Sequence, residues 1–258
     1  LKIPAYLARI VVSEDPSIAA VQDGTRQLYS VLRPYGGTAW LQLDDEASKD
    51  WHENAESLEL VGSEVTKGED STVRLTRKGA IPGSGNWTHE HADSANTRVS
   101  EDRIVKAPLG LLWFGGTSHE GVLPRHGHGP QPQVIDGRAI VEGVDMMRAV
   151  DIYTGRQLWE RELPDVGAFY NFLGHQPGAN GTGTNYVSLS DGIYVAYGDR
   201  CLRLDPATGE TLAEFPIPGA EDSGRTWGYI NVSGDYLVCG TETLVVDEDR
   251  DGTPKPGK

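Results

Sequence analysis

The chain lacks both long apolar runs and basic clusters. Only 38% of its residues are hydrophobic, and no stretch approaches the roughly 20 apolar residues that a membrane-spanning helix requires. It is acidic, with 38 Asp and Glu against 23 Lys and Arg and a formal net charge of −15. Nucleic acid and anionic membrane surfaces attract basic patches. The sequence therefore predicts no nucleic-acid partner and no membrane insertion.

Cysteine is also scarce, because Cys201 and Cys239 are the only two. One disulfide is an open alternative, but we favour two free, buried thiols, which behave as small apolar groups. No signal peptide is visible at the first residues, which says little if the chain is a fragment.

What the sequence does contain is a repeat, present twice in full and a third time in altered form. The first copy starts at Gln133 and carries Asp-x-x-Thr-Gly at residues 151–155, followed by a Leu-Trp pair at 158–159. The second starts at Ser190 and carries the same pentapeptide at 205–209, followed by Leu-Ala at 212–213. The third starts at Ser233 and lacks the Thr-Gly. A recurring unit of roughly 40 to 50 residues indicates a repeat architecture.

Each repeat has the pattern of a small antiparallel sheet. The alternating run at residues 193–197 predicts a half-buried strand. In Asp-x-x-Thr-Gly, the Asp side chain can accept from the amide two residues on and the Gly can take a positive φ, so the pentapeptide predicts a hairpin turn. Such a sheet cannot bury its apolar face alone, so neighbouring sheets must stack against it, as propeller blades do. The predicted fold class is mainly β.

The repeat resembles that of pyrroloquinoline quinone (PQQ)-like β-propellers, which occur in quinoprotein dehydrogenases and in bacterial outer-membrane assembly scaffolds. Residues 87–100, here called the opening segment, are similar to the stretch that opens such propellers. In them a Leu-x-x-x-Trp strand follows, and residues 108–116 match it. Two full repeats are fewer than the four to eight blades of a closed propeller. We therefore expect a partial propeller, at residues 81–258, within a larger bacterial multidomain protein.

Residues 1–80 have a different pattern. An apolar strand at 7–13, a helix at 17–32, a Pro-Tyr-Gly-Gly turn and a strand at 38–43 predict a βαβ element. Trp51 and residues 58–61 are expected strand anchors, and residues 73–77 a last strand. The Gly, Pro and Ser of residues 79–85 mark the domain boundary.

The stretch from Leu28 to Leu41 resembles the Leu-(Arg/Lys)-Pro-Gly-Gly signature of class I S-adenosylmethionine (SAM) methyltransferases. The resemblance implies a Rossmann-like α/β remnant in which residues 7–15 are the family's fourth strand. The whole chain resembles planctomycete proteins that insert a methyltransferase-like domain into a PQQ-like propeller. The family's Gly-rich SAM-binding turn would lie before Leu1, and residues 178–184 predict a flexible insertion between blades instead. We therefore expect SAM only in a full-length parent protein.

Histidine is the residue type that could carry chemistry. His89 and His91, and His126 and His128, form two His-x-His pairs, whose side chains share a face in extended backbone. Imidazole suits transition metals, and Glu90 or Asp93 could add an oxygen ligand. The four histidines are the candidate metal ligands. The alternative is that they cap backbone groups at a propeller rim.

The propeller resemblance also implies which residues a quinoprotein dehydrogenase uses to bind PQQ. Those enzymes hold PQQ over a Trp floor, clamp it with a disulfide between adjacent cysteines and bind calcium through Glu and Asn. Trp87, Trp113, Trp159 and Trp227 are available, but no cysteines are adjacent. Asp93 and Asn96 are expected to fix the conformation of the opening segment.

Three functions stay open: a non-catalytic scaffold or binding propeller for a protein or small-molecule ligand, a PQQ- or metal-dependent oxidoreductase, and part of a SAM-dependent methyltransferase. We favour the first, and the sequence leaves enzymatic activity undecided. The propeller resemblance implies a periplasmic or other extracytoplasmic location, and the methyltransferase resemblance a cytoplasmic one.

Overall fold

The computed structural model describes residues 3–15, 17, 23–68, 72–116, 118–124, 126, 128–171, 178–220, 224–241, 245–246 and 255–256. The chain forms two compact units, Leu1–Ser84 and Gly85–Lys258. The boundary predicted between residues 80 and 81 falls close to this division.

The first unit is a four-stranded sheet with two helices. Its elements are β1 (Ile10–Ser13), α1 (Gly24–Val31), β2 (Gly37–Gln42), α2 (Asp45–Ser57), β3 (Ser63–Lys67) and β4 (Thr72–Arg77). The sheet order is β1-β2-β4-β3. Strands β1 and β2 are parallel, while β4 runs antiparallel to both β2 and β3.

The predicted βαβ element is confirmed by the parallel pairing of β1 and β2 around α1. The predicted helix at 17–32 is interrupted at Asp23, which has a left-handed φ of 57°, and α1 begins after it. Residues 18–22 of the prediction lie outside the described part. Gly37 is required at the start of β2, since a Cβ there would come within 2.4 Å of the Arg33 carbonyl oxygen.

The prediction of strand anchors at Trp51 and residues 58–61 is wrong. Trp51 lies in α2, where it and Ala55 are buried one turn apart against the sheet. The Asp44 side chain caps this helix by accepting from the Ala47 amide at 2.8 Å. The cap and the apolar i, i+4 pair favour a helix over a strand. The last strand, predicted at 73–77, is confirmed as β4.

The described part of the second unit contains three successive antiparallel sheets, A, B and C, and one further antiparallel strand pair. Sheet A consists of β5 (Gln133–Ile135), β6 (Arg138–Gly143), β7 (Met146–Asp151) and β8 (Gln157–Glu162). Sheet B consists of β9 (Tyr186–Leu189), β10 (Gly192–Tyr197), β11 (Arg200–Leu204) and β12 (Thr211–Pro216). Sheet C has two described strands, β13 (Ile230–Ser233) and β14 (Tyr236–Cys239). The remaining elements are a 3-10 turn (Ala168–Tyr170), α3 (Ala179–Thr182) and the pair β15 (Val245–Val246) and β16 (Lys255–Pro256).

The predicted Asp-x-x-Thr-Gly hairpins are confirmed in sheets A and B. Asp151 Oδ1 accepts from the Tyr153 amide at 2.9 Å, and Asp205 Oδ1 from the Ala207 amide at 2.6 Å. Gly155 and Gly209 have φ values of 69° and 76°. Each turn therefore joins the third and fourth strands of its sheet, as the chemistry of the pentapeptide predicts.

The sheets stack face to face, which corrects the prediction of a half-buried strand at 193–197. Ile193 and Val195 pack on the side of sheet A, and Tyr194 packs on the side of sheet C, so β10 is buried on both faces. A sheet with neighbours on both sides has no solvent face to hold polar side chains. The fold is mainly β, built from stacked blade-like sheets.

The strand predicted at residues 108–116 is not found. These residues belong to no strand and expose most of their apolar side chains. Trp113 is anchored, because its indole Nε1 donates to the Ile152 carbonyl at 2.8 Å. A strand needs a hydrogen-bonded neighbour, and none of the described strands pairs with this segment. In the described part of the chain, no helix combines the length and apolar character needed to cross a bilayer.

Candidate functional site

The opening segment ties the three sheets of the second unit together. Trp87 exchanges two backbone hydrogen bonds with Val134 of β5, at 2.8 and 2.7 Å. The Thr88 carbonyl accepts from the Ser188 amide of β9 at 2.9 Å. His89 Nε2 lies 3.0 Å from the Val232 carbonyl of β13. The segment therefore bonds to the first strand of sheets A, B and C.

His89 is a buried member of this contact. Its Nε2 donates to the Val232 carbonyl, and its Nδ1 lies 2.7 Å from the Thr88 hydroxyl oxygen, which also donates to the Ala92 carbonyl at 3.2 Å. Burial is the main cause that lowers the pKa of His89, outweighing the backbone bond to Val232 that raises it. The ring therefore caps a backbone carbonyl, as the alternative interpretation of the histidines predicts.

The other candidate metal ligands are placed separately. His91 Nε2 lies 3.2 Å from the Arg98 guanidinium, and His126 and His128 are exposed. Glu90 accepts from the Gln131 amide at 3.1 Å. Among the residues described, no three His, Cys, Asp or Glu side chains are grouped closely enough to hold a metal ion. The metal site at His89, His91, His126 and His128 stays a prediction.

Asp93 has the structural role expected of it. Its carboxylate accepts from the amides of Ala95 and Thr97 and from the Thr97 hydroxyl, at 3.0, 3.1 and 2.5 Å. These bonds hold the pKa of Asp93 below its usual range. Asn96 follows with a left-handed φ of 57°, so both residues fix the turn.

The tryptophan side chains of the second unit differ in their hydrogen bonding. Three indoles donate to backbone carbonyls: Trp87 to Glu90 at 3.3 Å, Trp113 to Ile152 at 2.8 Å and Trp159 to Pro206 at 3.0 Å. Trp227 differs, since its Nε1 has no hydrogen-bond partner in the described part although the residue is only 6% exposed. Buried indole N–H groups normally have a partner. Trp227 is therefore the exception that needs an explanation.

Trp227 lines a cavity of about 870 Å³ at the end of sheet B, where the β10–β11 turn faces the loop that follows β8. The apolar part of the lining includes four aromatic rings, from Phe169, Tyr170, Tyr197 and Trp227. The volume lies within the range of about 300–1,000 Å³ that is usual for small-molecule sites.

Asn185 also lines this cavity and carries a second buried polar atom without a partner. Its Oδ1 has no hydrogen-bond partner in the described part, and the residue is 7% exposed. The backbone holds it near Trp227: the Asn185 carbonyl accepts from Ala196 at 2.8 Å, and the Trp227 amide donates to Gly198 at 2.8 Å. Both residues therefore line the cavity and are anchored to the end of β10, with their unpaired polar atoms buried.

The cavity lining contains more carboxylates than guanidinium groups. Arg161 donates to the Gly209 carbonyl at 2.8 Å. Arg200 is bound to Asp199 and Glu214, each at 2.9 Å. This arrangement lowers the pKa of Asp199 and raises that of Arg200. The lining also includes Glu162 and Asp165, so four carboxylates face two guanidinium groups.

Sequence reasoning did not single out this cavity. Trp227 was one tryptophan among four, and Asn185 has no motif around it. The one available signal was that Trp227 lies between repeats, outside the Leu-Trp strand position. The Gly-rich stretch nearby forms the short helix α3, against the expectation of a flexible insertion.

Both cysteines have free thiols in the structure. Cys201 is buried between sheets B and C, and burial raises its pKa to about 12. Cys239 is half-buried, and burial raises its pKa as well. Neither thiol resembles an activated nucleophile, which requires a lowered pKa.

No protein-family model and no curated protein matches the chain. Among solved structures it is similar to the quinohemoprotein alcohol dehydrogenase ADHIIG of Pseudomonas putida HK5, at 17% identity and a TM-score of 0.40. It is also similar to the quinohemoprotein alcohol dehydrogenase of Comamonas testosteroni, at 20% identity and a TM-score of 0.43. Each match covers 66% of this chain and 26% of the dehydrogenase. BamB from Moraxella catarrhalis matches at 13% identity and a TM-score of 0.26, over 46% of this chain and 45% of BamB. The chain spans less than half of each of these proteins, and likenesses this distant carry no argument about function.

Proposed function

We propose that the second unit is a non-catalytic, PQQ-like propeller segment that binds a small, neutral, hydroxyl-rich ligand in the cavity at the end of sheet B. The observation that carries the proposal is that two residues of the cavity lining, Trp227 and Asn185, have buried polar atoms, Nε1 and Oδ1, without a partner in the described part. A buried polar group without a partner costs about 1–3 kcal/mol. A ligand that reaches both atoms, accepting from one and donating to the other, would remove this cost.

The ligand class follows from the same lining. A hydroxyl group both donates and accepts, so adjacent hydroxyls can satisfy the indole N–H and the amide oxygen together. The aromatic rings offer apolar faces to a ring of C–H groups. The excess of carboxylates repels polyanions. Saccharides meet all three conditions.

The cavity does not fit PQQ, a polyanionic quinone. Arg200 is already neutralised by Asp199 and Glu214, and Arg161 is committed to a backbone carbonyl. The adjacent-cysteine clamp is absent from the sequence. No reaction step through PQQ is therefore derived for this cavity. The alternative function is a PQQ- or metal-dependent oxidoreductase, which would show a quinone- or metal-sized increment in native mass spectrometry.

For the first unit we propose the C-terminal part of a methyltransferase-like domain. The support is the parallel β1–α1–β2 arrangement, which agrees with the assignment of these strands to the family's fourth and fifth. Asp15, at the acidic end after β1, is exposed and accepts from the Ser17 amide at 2.9 Å. Asp15 is therefore a solvent-exposed residue at the end of the strand. SAM binding is proposed only for a longer parent protein.

The location and partners are also proposals. We place the protein outside the cytoplasm on the basis of the propeller resemblance, with the cytoplasm as the alternative. A protein partner is compatible with the same unit, since propeller blades also serve as scaffolds.

Calorimetric titration with three probes tests the proposed function. We expect cellobiose, a neutral saccharide, to bind the full chain, and citrate, a polyanion, not to bind. Trp227→Phe keeps the ring and removes the N–H, so it should weaken cellobiose binding about tenfold, the value of one hydrogen bond. Trp87→Phe removes an indole N–H outside the cavity and should leave the affinity unchanged. Binding of citrate, or of choline as a cationic probe, in preference to cellobiose would contradict the proposed ligand class.

A further inference from the structure

Arg200 is a residue of the cavity wall that the repeat does not require. When the two full repeats are aligned on their Asp-x-x-Thr-Gly turns, Arg200 of β11 corresponds to Met146 of β7. Each of the two begins the third strand of its sheet. Met146 is buried, whereas Arg200 lines the cavity with a side chain that is 44% exposed. The blade fold therefore accepts an apolar residue at this position, and the charge of Arg200 needs another explanation.

Two carboxylates hold the Arg200 guanidinium in place. Its Nε donates to Asp199 Oδ1 and its Nη1 to Glu214 Oε2, each at 2.9 Å. A longer contact of 3.5 Å joins Nη2 to Asp199 Oδ2. The carboxylates are themselves partly exposed, and all three residues belong to the cavity lining. The group is therefore both fixed in conformation and open to a ligand.

The guanidinium keeps donors for such a ligand. An arginine side chain has five N–H groups, and the contacts with Asp199 and Glu214 use one on each nitrogen atom. One N–H on Nη1 and one on Nη2 have no further partner among the described residues. The carboxylate oxygens can in turn accept from hydroxyl groups. Donors and acceptors thus lie side by side, which suits pairs of hydroxyls.

The net charge of the group distinguishes neutral from acidic ligands. Two carboxylates accompany one guanidinium, which leaves a net charge of −1. A hydroxyl can accept from the guanidinium and donate to a carboxylate at the same time. A ligand carboxylate can only accept, and it would meet two carboxylates of the same sign beside the guanidinium.

We propose that Arg200, Asp199 and Glu214 form the specificity-determining group of the cavity, which binds hydroxyls of neutral saccharides and excludes acidic saccharides. This inference rests on the proposed function. Glu214 is the decisive member, because it occupies a guanidinium that would otherwise bind a ligand carboxylate through charge-assisted hydrogen bonds. Removal of the Glu214 charge should therefore change which saccharides the cavity accepts.

Calorimetric titration of the full chain at low ionic strength tests the proposal with two matched probes, cellobiose and cellobionate, its carboxylate counterpart. The wild type should prefer cellobiose. Glu214→Gln keeps the side-chain shape and frees Arg200 of one carboxylate, so the affinity for cellobionate relative to cellobiose should rise about tenfold. Asp199→Asn removes the other carboxylate and should change the ratio in the same direction. Circular dichroism checks that both variants are folded.

Glu162→Gln is the matched control. Glu162 also lines the cavity, so this variant removes the same charge from the lining, but no contact within the described ranges joins Glu162 to Arg200. Its affinity ratio should change by less than about threefold. Equal gains in Glu162→Gln and Glu214→Gln would overturn the proposal, because total charge alone would then determine the selectivity.

The inference and the proposed function can fail separately. If the wild type binds cellobiose but neither Glu214→Gln nor Asp199→Asn changes the ratio, the inference is overturned and the proposed function stands. If the wild type does not bind cellobiose but Glu214→Gln binds cellobionate, the selective role of Arg200 is supported and the proposed ligand class is contradicted. Absence of binding in every protein with either probe would overturn both.

Discussion

His89 is the residue through which the opening segment reaches the last described sheet. The ring lies between the Thr88 hydroxyl and the Val232 carbonyl, and both ring nitrogens are used. Protonation of the ring places a charge in a buried site, which burial disfavours.

This arrangement predicts a pH dependence of stability. The pKa of His89 is lowered in the folded state, so the unfolded state binds the proton more readily. The free energy of unfolding should be highest above the ordinary histidine pKa of about 6.5 and should fall as pH decreases from there towards the lowered pKa. Urea unfolding at a series of pH values measures this.

The matched variants are His89→Gln and His119→Gln, the second at an exposed histidine. His89→Gln should be less stable at neutral pH and should lose less stability between neutral and mildly acidic pH. His119→Gln should follow the wild-type curve. A His89→Gln curve parallel to that of the wild type would show that another group causes the pH dependence.

At the scale of elements, an indole ring packed on a turn glycine links sheet A to sheet B. The Asp-x-x-Thr-Gly turn requires Gly at its last position for the positive φ, and the same Gly leaves room for a Trp ring, Trp113 at Gly155 and Trp159 at Gly209. One residue type thus serves both the hairpin and the contact between sheets. Sheet B itself carries Ala213 where sheet A carries Trp159, so the pattern is not continued from B to C.

Gly209→Ala should disturb this contact. The added Cβ meets the Trp159 ring at 2.7 Å in addition to the strain of a φ of 76°. Overpacking typically costs about 1–3 kcal/mol. Gly219→Ala is the control, because Gly219 has a similar φ of 72° but open space around its Cβ position. Denaturant unfolding should show the larger loss for Gly209→Ala, and equal losses would mean that the Trp159 contact adds nothing.

The elements that the sequence predicted best are those set by local chemistry. The Asp-x-x-Thr-Gly hairpins and the Pro-Tyr-Gly-Gly turn depend on φ preferences and short-range hydrogen bonds. Helix α2 was missed because its apolar residues, Trp51 and Ala55, are few among charged ones. Segment 108–116 has the composition of a strand, but strand formation depends on a partner that its own residues cannot specify.

At the scale of the whole molecule, the candidate site depends on residues far apart in sequence. Asn185 precedes sheet B, Trp227 precedes sheet C, and the aromatic residues Phe169 and Tyr170 follow sheet A. Only the stacking of sheets brings them to one cavity. The spacing of the histidines, in contrast, is visible in the sequence and predicts a metal site. One of these histidines, His89, has a structural role instead.

The excess negative charge of the molecule also appears in the cavity, where four carboxylates accompany two guanidinium groups. This local balance favours neutral over polyanionic ligands, because each additional anion meets an excess of carboxylates in a partly enclosed space. The cavity therefore supports a binding role more directly than it supports quinone chemistry.

Native mass spectrometry of the purified full chain, with and without added cellobiose, tests the central claim most directly. The account predicts the polypeptide mass alone before addition and one cellobiose per chain afterwards, with the complex reduced in Trp227→Phe. A metal-sized increment that is lost in His126→Ala/His128→Ala, or a quinone-sized increment, would contradict it. Either increment would instead support an oxidoreductase.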